Sequence, residues 1–228
     1  NSLFDANSGS REGDAIYTNG HGNINPGSLT VSNGSFINNS TDYSGSAIYA
    51  YYDITKIDGS TFANNFDTYV YDPILDNAGG GGVLVGAGGA LGITNSTFDS
   101  NTSTDGGTLI FERDQYNANN QYTATNVSFH NNTGTALLSY NYGPLPDQLI
   151  LKNTVLSGLQ LCESASAILD MGGNFQYGDS TLSCGPTIPV AGSNPFGANI
   201  LADNGGPTKT ISLAATSEAV DAIDAAAC

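Results

Sequence analysis

Ile93 to Ser103 reads ITNSTFDSNTS, one aromatic ring among small polar residues. The pattern recurs as NSLFDANS from Asn1, NGSFINNS from Asn33, DGSTFANN from Asp58 and NVSFHNNT from Asn126. Every copy has an Asn three places after its Phe: Phe4/Asn7, Phe36/Asn39, Phe62/Asn65, Phe98/Asn101 and Phe129/Asn132. Successive phenylalanines lie 32, 26, 36 and 31 residues apart, a period at which a solenoid is considered before any other architecture.

Two further apolar runs follow each Phe. The second reads GDAIY (Gly13 to Tyr17), GSAIY (Gly45 to Tyr49), GGALGI (Gly88 to Ile93), GGTLIF (Gly106 to Phe111) and GTALLSY (Gly134 to Tyr140). The third reads SLTVSN from Ser28, DITKID from Asp53, LGITN from Leu91, YTATN from Tyr122 and LILKN from Leu149. About three short β-type runs per unit, separated by Gly, Asn, Asp and Ser, predict an all-β parallel β-helix with one coil per repeat. Residues 1–157 supply the repeats, and 158–228 a C-terminal loop and closing coils of the same solenoid.

Stacked coils bring equivalent residues into columns. The recurring Phe is then expected to form an internal ladder of offset rings. The Asn three places on falls at a corner, where a short polar side chain tolerates left-handed backbone and can bond the Asn of the next coil. Gly before the AI-type run frees the backbone at the second corner. These ten ladder residues read as structural. Insertions at Asp67 to Gly89, Glu112 to Tyr122 and Tyr140 to Gln148 vary the coil length, and such loops on a rigid scaffold are where recognition usually resides.

Lys and Arg number 5 against 21 Asp and Glu, a formal charge of −16. Such a chain is repelled by nucleic acid and by anionic membrane surfaces. With 39% hydrophobic and only 11% charged residues, it can still build a core, which argues against disorder. There is no apolar run long enough to span a bilayer as a helix. Cys162 and Cys184 bracket a loop without zinc-site spacing, so a disulfide is the better reading, with a chain-entropy gain of about 3 kcal/mol. Such a bond places the protein in an oxidising, extracytoplasmic setting, and leaves Cys228 over.

The FxxN and GGA(I/L) signatures resemble the repeats of chlamydial polymorphic outer-membrane proteins and similar bacterial β-helical surface proteins. The C-terminal NTVLSGLQLCESASAILDMGGNFQYGDSTLSC resembles a segment of large bacterial secreted proteins in which a Cys precedes GxN and a second Cys follows. Leu201 to Thr208, LADNGGPT, and the later Ser217, Ala219, Val220, Asp221 and Ala222 are similar to their LADNGGPT…SPAIDAG ending. Glu218 stands where that pattern has Pro, and Ile223 where it has Gly. The resemblance implies a right-handed β-helix, secretion or surface display, and no catalytic residues.

Catalytic constellations are missing from the sequence. NGHGN (Asn19 to Asn23) carries the Gly-His-Gly string of polygalacturonases, but no Asp-Asp pair or Arg-x-Lys clamp accompanies it, and His21 reads as a turn residue. The few cations, Arg11, Arg113, Lys56, Lys152 and Lys209, are too scattered for a lyase of acidic sugars. No GxSxG or Walker-type loop occurs, and AGGGGVLVGAGG reads as a flexible or tightly packed corner. No cofactor is expected. Asp203, Asp221 and Asp224 suggest calcium only weakly, since no calcium-loop pattern surrounds them. Asn95 and Asn126 head Asn-x-Ser/Thr sites, which act as glycosylation acceptors only in a eukaryotic secretory route.

The sequence therefore predicts a non-enzymatic extracellular or cell-surface module for adhesion or structure. Its partner would be a surface glycan, a protein, or copies of itself stacked end to end as a filament or sheath. Asn1 falls inside a repeat, so a piece cut from a longer β-helix is the other expectation. The rival function is a glycosidase on a neutral polysaccharide, which would need paired carboxylates about 5–10 Å apart in a groove.

Overall fold

The structure, a computed structural model, describes residues 1–20, 26–68, 82–113, 121–141, 148–164, 167–178, 183–198 and 200–222. Every strand pair in its two sheets is parallel, and the described residues contain no helix. The chain is a parallel β-helix. One face is a six-stranded sheet built from the third runs: Gly27–Ser32, Asp53–Asp58, Ala90–Thr94, Gln121–Thr125, Gln148–Lys152 and Ala167–Asp170. The other two faces, which carry the Phe runs and the second runs, join into a single 14-stranded sheet.

The Phe face shows why the repeat has its spacing. Phe4 stands opposite Phe36, Phe36 opposite Phe62, Phe62 opposite Phe98, and Phe98 opposite Phe129. Their ring centroids are 4.7, 4.8, 4.6 and 4.9 Å apart, and no pair of planes differs by more than 8°. The strand spacing of about 4.8 Å sets these separations. Offset of the parallel rings brings their surfaces to van der Waals contact near ~3.5 Å. Phe36, Phe62, Phe98 and Phe129 are fully buried, while Phe4 at the end of the column is only partly covered.

Three places on, the asparagines form a second ladder. Asn65 is typical: its backbone N–H and its Nδ2 both donate to Oδ1 of Asn101, at 3.0 and 2.9 Å. Its Nδ2 also donates to the carbonyl of Phe36 at 2.9 Å. Only a primary amide supplies an acceptor and two donors at this reach. The left-handed residue is not this Asn, however, but the one before it: Ala6, Asn38, Asn64, Ser100 and Asn131 have φ of 51–56°. The ladder Asn is chosen for its hydrogen bonds, and its predecessor makes the turn.

The second runs also stack, with one reassignment. Ile16, Ile48, Leu84, Leu109, Leu137 and Cys162 form one interior column. The third unit's second run is therefore Gly82–Ala87, GVLVGA, a strand paired on both sides. Gly88 to Ile93 instead enters the six-stranded sheet, where Leu91 faces Thr55 and Tyr122. Gly13 and Gly45 do carry the left-handed turn ahead of their runs, with φ of 69° and 72°.

Cys162 and Cys184 form a disulfide. Cys162 ends the aliphatic column, and Cys184, with the fully buried Ile188, lies against its end. Gln176 ends the Phe column beyond Leu156. Its Nε2 donates to the carbonyls of Gly185 and Ile188, and its Oε1 accepts from the N–H of Cys184. One covalent bond and one three-bonded amide thus fasten residues 184–188 over the C-terminal end of the core.

After a single parallel bridge from Gln176 to Val190, the chain leaves the solenoid. Antiparallel bridges Phe196 to Leu213 and Ala202 to Thr210 make a hairpin that lies back along the flank. Phe196 and Ile211 pack on Val155 at its base. At its tip, Thr208 Oγ1 donates to Gly59 O at 2.8 Å and Thr61 Oγ1 to Lys209 O at 2.5 Å. The LADNGGPT segment is this tip.

Candidate functional site

A cavity of about 490 Å³ opens on the flank where the hairpin base meets the Asn corner. His130, Asn131, Asn132 and Thr133 line it from one coil, Ser157, Gly158 and Leu159 from the next, and Tyr177 and Gly178 from the last. Asn194, at the start of the hairpin, closes one side. No Asp, Glu, Lys or Arg is among these lining residues.

The cavity follows from register. Residues one place after each Phe form an outward column in which Asp99, His130, Ser157 and Tyr177 occupy successive coils. His130 Nδ1 lies 2.7 Å from Asp99 Oδ1. A carboxylate only accepts, so Nδ1 carries the hydrogen and Nε2 is the ring's remaining polar atom. The edge of the imidazole meets Phe196, with centroids 5.1 Å apart and planes at 74°. The pair is almost wholly buried, so the hairpin and Asp99 together fix the ring.

In the ladder column, Gly158 stands opposite Asn132 and Gly178 opposite Gly158. Asn132 Nδ2 donates to Phe98 O at 3.0 Å, but the next coil brings no amide to accept its second hydrogen. Two consecutive rungs without side chains leave the space. A serine and an Asp-oriented imidazole in adjacent coils also suggest nucleophilic chemistry, but the described hydrogen bonds of His130 extend to Asp99 and not to Ser157.

Sequence reasoning did not single out this site. The signal was present: aligning the repeats on Phe and reading the next residue places Asp99 directly before His130. Of the residues that were singled out, the ten of the two ladders lie in the core and corner, and Asn132 alone borders the cavity. His21, Cys228 and Asp224 lie outside the described residues, as do Tyr69, Tyr71, Ile74 and Leu75 of the long insertion. Asp203 Oδ1 accepts the N–H of Gly205 within the hairpin tip, and Asp221 is exposed. Among the described residues no group of three or more His, Cys, Asp or Glu is placed to hold a metal.

Comparison with protein-family models, with curated proteins and with solved structures returned no match. No helix among the described residues is long and apolar enough to cross a membrane.

Proposed function

We propose that this chain is a non-enzymatic extracellular module, a rigid β-solenoid that presents its flank for adhesion or surface structure. The observation that carries the reading is the chemistry of the flank cavity, whose described lining residues present amides, hydroxyls, an imidazole and one tyrosine, with no carboxylate among them. A glycosidase needs two carboxyl groups across the scissile bond, which the described lining residues do not offer. The Cys162–Cys184 disulfide is compatible with an oxidising compartment, and the resemblance of the repeats to bacterial surface proteins supports display outside the cell.

Retention of the labelled chain on immobilised glycans and on extracellular proteins, with a parallel assay for new reducing ends, tests this. Saturable retention without cleavage is expected. Release of sugar, or no retention by folded protein on any surface, overturns it.

A further inference from the structure

The asparagine ladder runs unbroken for four steps and then stops. Side-chain amide bonds join Asn7 to Asn39, Asn39 to Asn65, Asn65 to Asn101 and Asn101 to Asn132, all at 2.8–2.9 Å. Each step hides the amide of one coil against the next. At Asn132 the partner is Gly158.

Neither conformation nor crowding requires that glycine. Gly158 has no positive φ, in contrast to Gly178 with φ of 154°. A Cβ built at Gly158 would meet Asn132 O at 3.7 Å and a Leu161 methyl at 3.9 Å, which is ordinary contact. A Cβ at Gly178 would collide with Gly158 O at 1.8 Å. Gly178 is thus a backbone necessity, whereas Gly158, which stands opposite Asn132 across a register shift and only two places after Leu156, has room for a side chain to begin. Gly158 lines the cavity and puts no side chain into it.

We infer that this cavity is a binding site for a neutral carbohydrate, and that Gly158 is the residue that keeps it open. The inference rests on the adhesive reading and names the ligand of its flank cavity. Sugar hydroxyls both donate and accept, and the cavity offers matching groups: the Asn132 amide, the His130 imidazole, the Ser157 hydroxyl and the Asn194 amide. Tyr177 and Leu159 give the apolar surface that the C–H face of a pyranose covers, with Leu159 74% exposed. The volume lies in the range of small-ligand sites. An acidic sugar is disfavoured, because no cation is among the described lining residues to offset the cost of desolvating its carboxylate in a chain of net charge −16.

The test is Gly158→Asn, which should put a side chain into the cavity. Binding is read by saturation-transfer NMR and calorimetry against methyl glycosides of glucose, galactose, mannose and N-acetylglucosamine, with galacturonate as the charged control. At least one neutral glycoside should bind wild type with transfer from the Tyr177 ring. Gly158→Asn should weaken it tenfold or more while melting no lower than wild type. Tyr177→Leu, which keeps an apolar residue on the strand, should weaken binding also and guards against misfolding of the first variant. Binding of galacturonate alone, no binding of any neutral glycoside, or equal affinity in folded Gly158→Asn overturns the inference. Surface retention that persists undiminished in Gly158→Asn would leave the adhesive reading standing and remove only the carbohydrate site, whereas loss of retention in wild type removes that reading itself.

Discussion

The Asn101 side chain makes four hydrogen bonds, to three residues, and Phe98 stacks on two rings. Asn101 Oδ1 accepts from the N–H and the Nδ2 of Asn65, and its Nδ2 donates to Phe62 O and Asn132 Oδ1. Phe98→Ala removes a fully buried ring and is expected to cost about 3–5 kcal/mol. Asn101→Ala strands buried polar groups above and below, each worth about 1–3 kcal/mol, so its cost should equal or exceed that of the ring. Urea denaturation of the two variants checks this, and a near-neutral Asn101→Ala would show that the amide ladder is ornamental. Asp14 offers a second test. Burial raises its carboxyl above the ordinary carboxylate value, against hydrogen bonds from Thr41 and the Gly9 backbone, and neighbouring Asp42 raises it further. Its Oδ2 is buried with no hydrogen-bond partner. A raised folded pKa means stability that is present below the unfolded value of 3.8 and is lost as pH rises through the folded one. Asp14→Asn should therefore melt higher than wild type at pH 7, and the gain should vanish near pH 3. An equal gain at both values would trace the effect to packing instead of charge.

Between residue and molecule stand the pieces that close the solenoid. Reducing the Cys162–Cys184 bond should cost about 3 kcal/mol on the chain-entropy account, and should loosen residues 184–188 before the ladders yield. Phe196→Ala removes the contact between the hairpin base and His130, so exchange of the Ala202 and Thr210 amides should quicken while the ladder amides keep their protection. Uniform loss of protection would mean that the hairpin and the solenoid unfold as one unit. These elements differ in how legible they were. The Phe and Asn columns were readable because both residues recur at a fixed offset, whatever the loop length. The strand Gly82–Ala87 was not, because its valines and leucine sit among glycines that imitate a loop, and GGALGI imitates the neighbouring repeats more closely. The hairpin was invisible because its tip bonds residues about 150 positions away, a separation no local pattern encodes. The cavity was legible only in part: the Asp99–His130 column can be read by aligning on Phe, but the pairing of Gly158 with Asn132, one residue out of the repeat's offset, appears only once the register is known.

Charge belongs to the whole molecule. A net −16 on a rod of stacked coils ought to destabilise it through self-repulsion, and the register limits that cost. In every described strand pairing an acidic residue faces a neutral or basic one: Asp99 faces His130 and Ala63, Asp67 faces Thr41 and Ser103, Asp170 faces Leu151, and Asp58 faces Thr94 and Ser32. Asp58 also accepts from Thr94 Oγ1 and Asn95 Nδ2, and these bonds hold its carboxyl below the usual value. Like charges are thus kept from the ~4.8 Å approach of adjacent strands, and the repulsion that remains acts over longer distances. Salt screens that kind best, since the Debye length falls from about 30 Å at 0.01 M to about 8 Å at 0.15 M. Melting temperature should therefore rise as sodium chloride is raised over this interval and change little above it, with no specific ion required. Potassium and sodium should act alike. A melting temperature that falls with salt would mean that attractive pairs outweigh repulsion, and the five cations of the chain would then have to be sought beside its carboxylates. A rise that continues steeply past ~0.3 M would point to salting-out of apolar surface instead of charge screening. Only the early, saturating rise fits a solenoid whose register has already separated its nearest like charges.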